Sequence, residues 1–365
     1  METEQRLDER KNQATELQTM KETPPQDTKA AAAKEQLRAA TIRKDLKSGP
    51  KFDQSDPLVV QADVSRRNWI RIWTGKFGSY EDITSIPPMI YTDKKLEPGY
   101  SPFRPMETLQ IFSVKIVETS QNLTWPLDVF GMVVARDALD YNRNIIFHRT
   151  RDNCQAISKE NPYLELTGPS RAVVAFGSVD LEVMLQVKRG GQAKDKCISY
   201  LVVSYDGCPS RMESCVLKRV RPNKRSTVEL TFGSIYRSVE ATISVQVVGG
   251  SWTDGFRGEF TASTISLDDM KIQLLAFGDG KLLPVAADGM VKLVVSVELK
   301  GELRVSVRAV GVGDEAVEKW VTKVFRAQKA SRSKAYLEVG SCKVKVTIAW
   351  SLLSSCQYPG GWSPE

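Results

Sequence analysis

An all-β body built as two tandem β-sandwich-like halves, preceded by a disordered or helical N-terminal extension, is what this 365-residue chain predicts. Three observations carry that expectation. From Leu109 to Leu353 apolar residues recur at every second position in short runs, the signature of half-buried strands. Turn dipeptides separate the runs, among them Asp279-Gly280, Asp288-Gly289 and Lys300-Gly301. No segment of that body keeps a helical period for more than two turns.

The extension comes first. Residues 1–56 are rich in Lys, Glu, Gln and Asp, are broken by Pro24-Pro25, and hold few large apolar side chains, so they predict a disordered charged tail. Within it Ala30 to Leu46 contains good helix formers, but Leu37, Ile42 and Leu46 make only a thin apolar stripe. Residues 57–105 predict a basic aromatic arm and a Pro-rich connector. Trp69, Ile72 and Trp73 fall at i, i+3 and i+4, which places them on one face of a short helix flanked by Arg66, Arg67 and Arg71. Such a helix docks on a membrane surface, nucleic acid or a partner, or else its tryptophans pack on the β body of the same chain; the bulk of Trp favours the second. The prolines from Pro87 to Pro105 make the remainder extended.

The first half spans 106–210. Phe112, Val114 and Ile116 alternate with polar neighbours, and Val129 to Ala135 is almost continuously apolar, as a strand covered on both faces would be. Leu181, Val183, Leu185 and Val187 alternate cleanly, with Ile198 to Tyr205 as the neighbouring strand. A basic loop around Arg211 to Arg225 then leads to the second half, 226–353. There Val239, Ala241, Ile243, Val245 and Val247 line one face, with Glu240, Thr242, Ser244 and Gln246 on the other, polar face. Phe260 and Ala262, then Ile272 and Leu274, continue the pattern. Val295, Val297 and Leu299 run into Lys300-Gly301 and return as Leu303, Val305 and Val307; Val344 to Trp350 closes the body, and 354–365 reads as a flexible tail. A faint duplication is visible, a strand leading to Trp125 in one half and to Trp252 in the other.

Composition narrows the chemistry. Hydrophobic content of 41% supports a sizeable core, and a net charge of +7 with both signs interspersed favours acidic partners only weakly. No apolar run reaches the roughly 18 residues that cross a bilayer. Glu2, Glu4, Asp8 and Glu9 precede any apolar stretch, which argues for the cytoplasm, with the nucleus as a second compartment, and for reduced thiols. Six cysteines, no Cys-x-x-Cys pair and a single histidine, His148, argue against a zinc site, so no metal and no cofactor is expected. His148 lies near Cys154, but no third orienting group is indicated, so no catalytic residue is assigned. Gly311-Val-Gly313 and Gly278-Asp-Gly280-Lys281 lack the spacing of phosphate-binding loops.

The densest polar chemistry lies between Trp125 and Gln155. Asp128, Asp137, Asp140 and Asp152 supply oxygens of the kind calcium takes, but Arg136, Arg143, Arg149 and Arg151 stand among them, so ion pairs and Asx turns are expected instead. The candidate binding residues are therefore Arg66, Trp69, Arg71 and Trp73 in the arm, and Asp137, Asp140, Asn142, Arg143, Arg149, Arg151 and Asp152 in this loop. Lys218, Arg219, Arg221, Lys224 and Arg225 form the sharpest basic run, a contact for nucleic acid or acidic protein or simply a solvated loop.

The blocks LEPGYSPFRPMETLQIFSVKI, WPLDVFGMVVARDALDYNRNIIFHRTRDNCQ, NPYLELTGPSRAVV, SVEATISVQVVGGSW and VGSCKVKVTIAWSLL resemble an uncharacterised domain family expanded in cereal grasses, over roughly residues 80–353. Some of its relatives are attached to ribosome-inactivating, rRNA N-glycosylase domains. The resemblance implies a plant protein, in a stress or defence setting, with no activity to carry over. The Glu-x-x-Arg helix of those enzymes has its only counterpart in Glu35 to Arg38, inside the charged tail. The expectation is a non-catalytic binding or scaffolding module with a protein partner, and with nucleic acid or an acidic surface behind it. A diverged enzyme related to rRNA N-glycosylases and a peripheral membrane-binding, C2-like module are the alternatives.

Overall fold

The computed structural model describes residues 52–95, 103–120, 123–190, 195–207, 212–250, 252, 256–277, 291–311, 318–358 and 360. The tail with its Ala30–Leu46 and Glu35–Arg38 segments lies outside them up to residue 51, as do the Asp279-Gly280 and Asp288-Gly289 turns and Gly313. The described part is a set of antiparallel sheets with one α-helix, α1 (Pro57–Trp73). The all-β expectation holds for the body.

Strands β1 (Phe103–Arg104) and β2 (Met106–Thr119) open it, followed by β3 (Leu127–Arg136), β4 (Asn144–Arg149), β5 (Gln155–Ile157), β6 (Val173–Val174), β7 (Val179–Val187), β8 (Lys196–Tyr205) and β9 (Cys215–Pro222). Then come β10 (Ser226–Gly249), β11 (Phe256–Thr264), β12 (Ile272–Phe277), β13 (Val291–Glu298), β14 (Glu302–Gly311), β15 (Glu318–Arg326), β16 (Ala330–Val339), β17 (Cys342–Ser351) and β18 (Leu353–Ser354). A five-stranded sheet runs β4-β3-β7-β8 with β5 on β3; a four-stranded sheet runs β12-β11-β14-β15. A seven-stranded sheet, drawn from strands before, among and after these, runs β16-β17-β10-β2-β6, and both β9 and β13 also pair with β10.

Strand β10 is the spine of the molecule. Its 24 residues pair with β2 from Ser226 to Ser238 and with β17 from Glu240 onward along one edge. Along the other edge β9 covers Thr227 to Ser234 and β13 covers Ser238 to Val245. One core packs the five-stranded sheet on the first stretch of β10: Val228, Leu230 and Phe232 join Val114, Ile116, Val133, Leu181, Val183 and Leu201. A second packs the four-stranded sheet on the remainder: Val239, Ala241 and Ile243 join Phe260, Leu303, Val305, Val346, Ile348 and Trp350. Two sandwiches therefore share one continuous strand.

Several sequence expectations change here. Residues 226–235 belong with the first sandwich, because β10 begins there as the partner of β2. The basic run from Lys218 to Arg221 is strand β9, not a loop; its residues alternate between half-buried and exposed, with Leu217 packed against the first core. Lys300-Gly301 is a turn, but it does not close a hairpin: β13 pairs with β10 while β14 pairs with β11 and β15, so the chain steps there from one sheet to the other. Glu240 and Thr242 are buried because residues 86–91 lie over that end of the face; the Glu240 carboxylate accepts the N–H groups of Met89 at 2.7 Å and Ala172 at 2.8 Å. The connector is thus partly core, with Ile86 and Tyr91 buried. Ser354 is already in β18, and Tyr358 N donates to Leu139 O at 2.8 Å, so the closing segment is tied down that far.

One glycine is required by the packing. Gly131 in β3 has φ +118°, and a Cβ there would meet the Met184 carbonyl oxygen at 2.2 Å.

Candidate functional site

Most of the sequence-derived binding residues meet each other at a joint between the arm and the body. Helix α1 starts at Asp56, whose carboxylate accepts Leu58 N at 3.0 Å and, through its other oxygen, Lys224 N at 2.9 Å. Its buried face holds Val59, Ala62, Arg66, Trp69 and Ile70; Val59 and Ala62 pack on Tyr200 and Val202 of β8. Trp69 donates its indole N–H to Tyr141 O at 2.8 Å, and Trp73 stacks on the Tyr141 ring at 3.9 Å. Ile72 does not share that face: it is 54% exposed, and Arg71 beside it is exposed too. The face is rotated toward Ile70 because the helix ends at Trp73 and its earlier turns decide which side docks.

Charge at the joint is neutralised within the chain. Three guanidinium groups surround the buried Tyr80 ring, Arg136 at 4.1 Å, Arg66 at 5.1 Å and Arg143 at 5.3 Å from its centroid. Arg136 donates to Glu182 at 2.6 Å, to Tyr141 O at 2.9 Å and to Tyr80 O at 2.7 Å. Glu81 pairs with Arg143 and, at 3.6 Å, with Arg66. Asn142 donates its amide to Phe77 O at 3.0 Å.

Asp137 and Asp140 are almost wholly buried, and both form Asx turns, accepting Leu139 N and Asn142 N at 3.2 Å. Arg171 binds Asp137 with two parallel bonds of 2.5 and 2.9 Å and reaches Asp140 at 3.1 Å. Burial works against the Arg171 cation, but the two carboxylates outweigh it and its pKa rises. Ion pairs and Asx turns were expected here; the cation that makes them was not among those singled out. Asp137, Asp140, Asn142, Arg143, Arg66 and Trp69 thus form an internal joint, with their polar groups turned toward one another.

The remaining candidates lie apart. Arg149 pairs with Glu165 at 2.8 Å and Arg151 with Asp195 at 2.6 Å, while Asp152 is exposed in a 3-10 turn, Arg151–Asn153. His148 is exposed on β4, and among the described residues no hydrogen bond joins it to Cys154.

The open concavity lies elsewhere, on the spine. Between its pairing with the start of β9 and its pairing with the end of β13, β10 bulges at Tyr236 and Arg237, and Arg237 takes φ +44°, the left-handed region that non-glycine residues rarely enter. A cavity of about 470 Å³ opens there. Its lining comes from Met212, Glu213 and Ser214 ahead of β9, Tyr236 and Arg237 in β10, Glu298, Leu299 and Lys300 at the end of β13, and Ser266. Ser214 ties these segments together: its hydroxyl accepts Tyr236 N at 3.0 Å and donates to Glu298. Leu299 N donates to Arg237 O at 3.0 Å, which satisfies that carbonyl of the bulge. Met212 is 74% exposed, a large apolar side chain held in water at the mouth. Sequence reasoning missed this site because its residues come from four separate stretches of chain; the Lys300-Gly301 turn was the one local signal.

The fold and these surfaces define an all-β, double-sandwich protein whose densest polar cluster is structural and whose open cavity sits on a strand common to both sandwiches. The chain belongs to the family described as Domain of unknown function (DUF6598), whose model matches residues 108–348. None of the curated proteins matches it. Among solved structures it is similar to human GIVD cytosolic phospholipase A2, with 9% identity and a TM-score of 0.22 over 70% of this chain and 33% of that one. The same enzyme in complex with methyl gamma-linolenyl fluorophosphonate gives 9% identity and a TM-score of 0.21, over 68% and 32%. The chain spans about a third of that enzyme's length, and at this similarity the likeness carries no argument. Among the described residues no helix is long and apolar enough to cross a membrane.

Proposed function

We propose that this chain is a non-catalytic protein-binding module and that it takes hold of its partner at the cavity on the spine strand. One observation carries the reading: Met212, Tyr236 and Leu299 line a cavity of about 470 Å³ together with Glu213, Glu298, Arg237 and Lys300, and Met212 is held exposed there. Volumes of roughly 300–1,000 Å³ with a few convergent polar groups are typical of ligand sites. The occupant is a bulky apolar side chain of the partner, flanked by charges of both signs that pair with the rim. The strain at Arg237 supports the reading, since a left-handed non-glycine residue persists where the surroundings or a function require it.

Selection of a displayed peptide library on the full chain tests it. Peptides with a large apolar residue between charged ones should be enriched, and their affinity should fall at least about tenfold on Met212→Asp or Lys300→Glu, the change expected from losing about 1.4 kcal/mol. Enriched peptides that bind both variants as well as the parent would overturn the assignment. Release of adenine from ribosomes by the full chain, abolished by changing one carboxylate, would overturn its non-catalytic half.

A further inference from the structure

A second cavity, of about 300 Å³, lies at one end of the first sandwich, where the segment after β2, the start of β8 and the β9–β10 turn meet. Its described lining is Ser120, Leu123, Lys196, Lys224 and Arg225: three cations and a hydroxyl, with no carboxylate. We propose that this cavity binds a phosphoryl group, carried by a soluble phosphate monoester or by a lipid headgroup.

The cations are held in place by the fold. The Arg225 carbonyl accepts Ser120 N at 2.8 Å, and Arg225 N and Ser226 N both donate to the Asn223 side-chain oxygen, at 2.8 and 2.9 Å. The Arg225 guanidinium donates one N–H to Cys197 O at 2.9 Å, which fixes its plane and leaves the rest of its donor fork for a ligand. Lys224 is anchored through its backbone to Asp56, and its ammonium contacts Ser55 Oγ at 2.6 Å. Among the described residues neither Lys224 nor Arg225 has a carboxylate within ion-pair distance.

Two carboxylates lie nearby without forming an ion pair with these cations. Asp53, exposed, accepts Ser55 N and Ser55 Oγ, and those bonds, followed by the charges of Lys224 and Arg225, hold its pKa down; Asp56 accepts the N–H groups of Leu58 and Lys224. Lys224 and Arg225 repel one another, and a dianion placed between them removes that repulsion while Arg225 supplies a planar fork and Lys224 a point charge. Because the turn is already fixed by Asn223, little ordering is needed when the ligand arrives.

The test uses the full chain at matched ionic strength. Inorganic phosphate and a soluble phosphate monoester are titrated and followed by phosphorus NMR, and sedimentation is measured with phosphatidylcholine vesicles carrying phosphatidic acid or, for comparison, phosphatidylserine. The soluble arm should saturate, or the phosphatidic acid arm should exceed the phosphatidylserine arm, and Lys224→Gln with Arg225→Gln should weaken that binding at least about tenfold. Lys196→Gln, which leaves the Arg225–Cys197 contact in place, should weaken it in the same sense should the double variant fold poorly. Binding in the first arm alone assigns a soluble ligand, and in the second alone a headgroup. No binding in either arm overturns the proposal, and so does an equal loss in Arg326→Gln with Lys334→Gln, which removes two exposed cations far along the chain.

Discussion

Arg171 is the residue on which the buried joint depends. It satisfies Asp137 with two bonds and Asp140 with one, in a site closed to water. Arg171→Leu leaves two buried carboxylates without their cation and should lower unfolding free energy by about 3–5 kcal/mol, read from urea midpoints. Glu240, close by, behaves differently: burial holds its pKa above the usual carboxylate range, against the opposing pull of Ala172 N, Met89 N and Arg171. A raised folded-state pKa means the native state binds the proton more tightly, so this contribution is complete below the ordinary carboxylate value and declines as pH rises through the raised one. Wild type should therefore lose stability relative to Glu240→Gln as pH rises above the ordinary carboxylate range, and parallel curves for the two would contradict it. Cys197 offers a third check. Burial pushes its thiol up to about 11 despite Arg225, so at neutral pH iodoacetamide should label the exposed Cys356 well before Cys197, as followed by peptide mass spectrometry. None of these environments was legible in the sequence, where Arg171 has no periodic neighbours and Glu240 sits on what reads as a polar face.

At the scale of elements, helix α1 shows how far periodicity carries. The run at i, i+3 and i+4 correctly marks a helix, but Trp69 is buried while Ile72 faces water. Trp69→Ala should cost about 3–5 kcal/mol and release the helix from Tyr141, whereas Ile72→Ala should stay within about 0.5 kcal/mol. Arg66 breaks the amphipathic pattern because its charge is met by Glu81, which comes from a loop fifteen positions on. The strands were more legible. β7 alternates along its whole length as Leu181, Val183, Leu185 and Val187 foretell, since one of its faces packs on a core throughout. β9 was missed because its outward positions carry Lys218 among exposed valines, a pattern that charge hides.

At the scale of the whole described body, one strand serves both cores. Both sandwiches are built on the same 24-residue strand, so a break in either frees part of β10 and unfolding should be a single cooperative event. Tryptophan fluorescence, dominated in the second core by the buried Trp350, and far-ultraviolet dichroism should give one coincident midpoint in urea; separated midpoints would mean the sandwiches fold alone. Period-two alternation by itself determined that this chain is a β protein and where most of its strands run, because burial on one sheet face repeats every second residue wherever the sheet lies. Which strand pairs with which, the step between sheets at Lys300-Gly301, and the cavities at Arg237 and Arg225 were decided only by tertiary structure. Pairing partners and cavity walls come from positions far apart in the chain, and no local pattern records the distance between them.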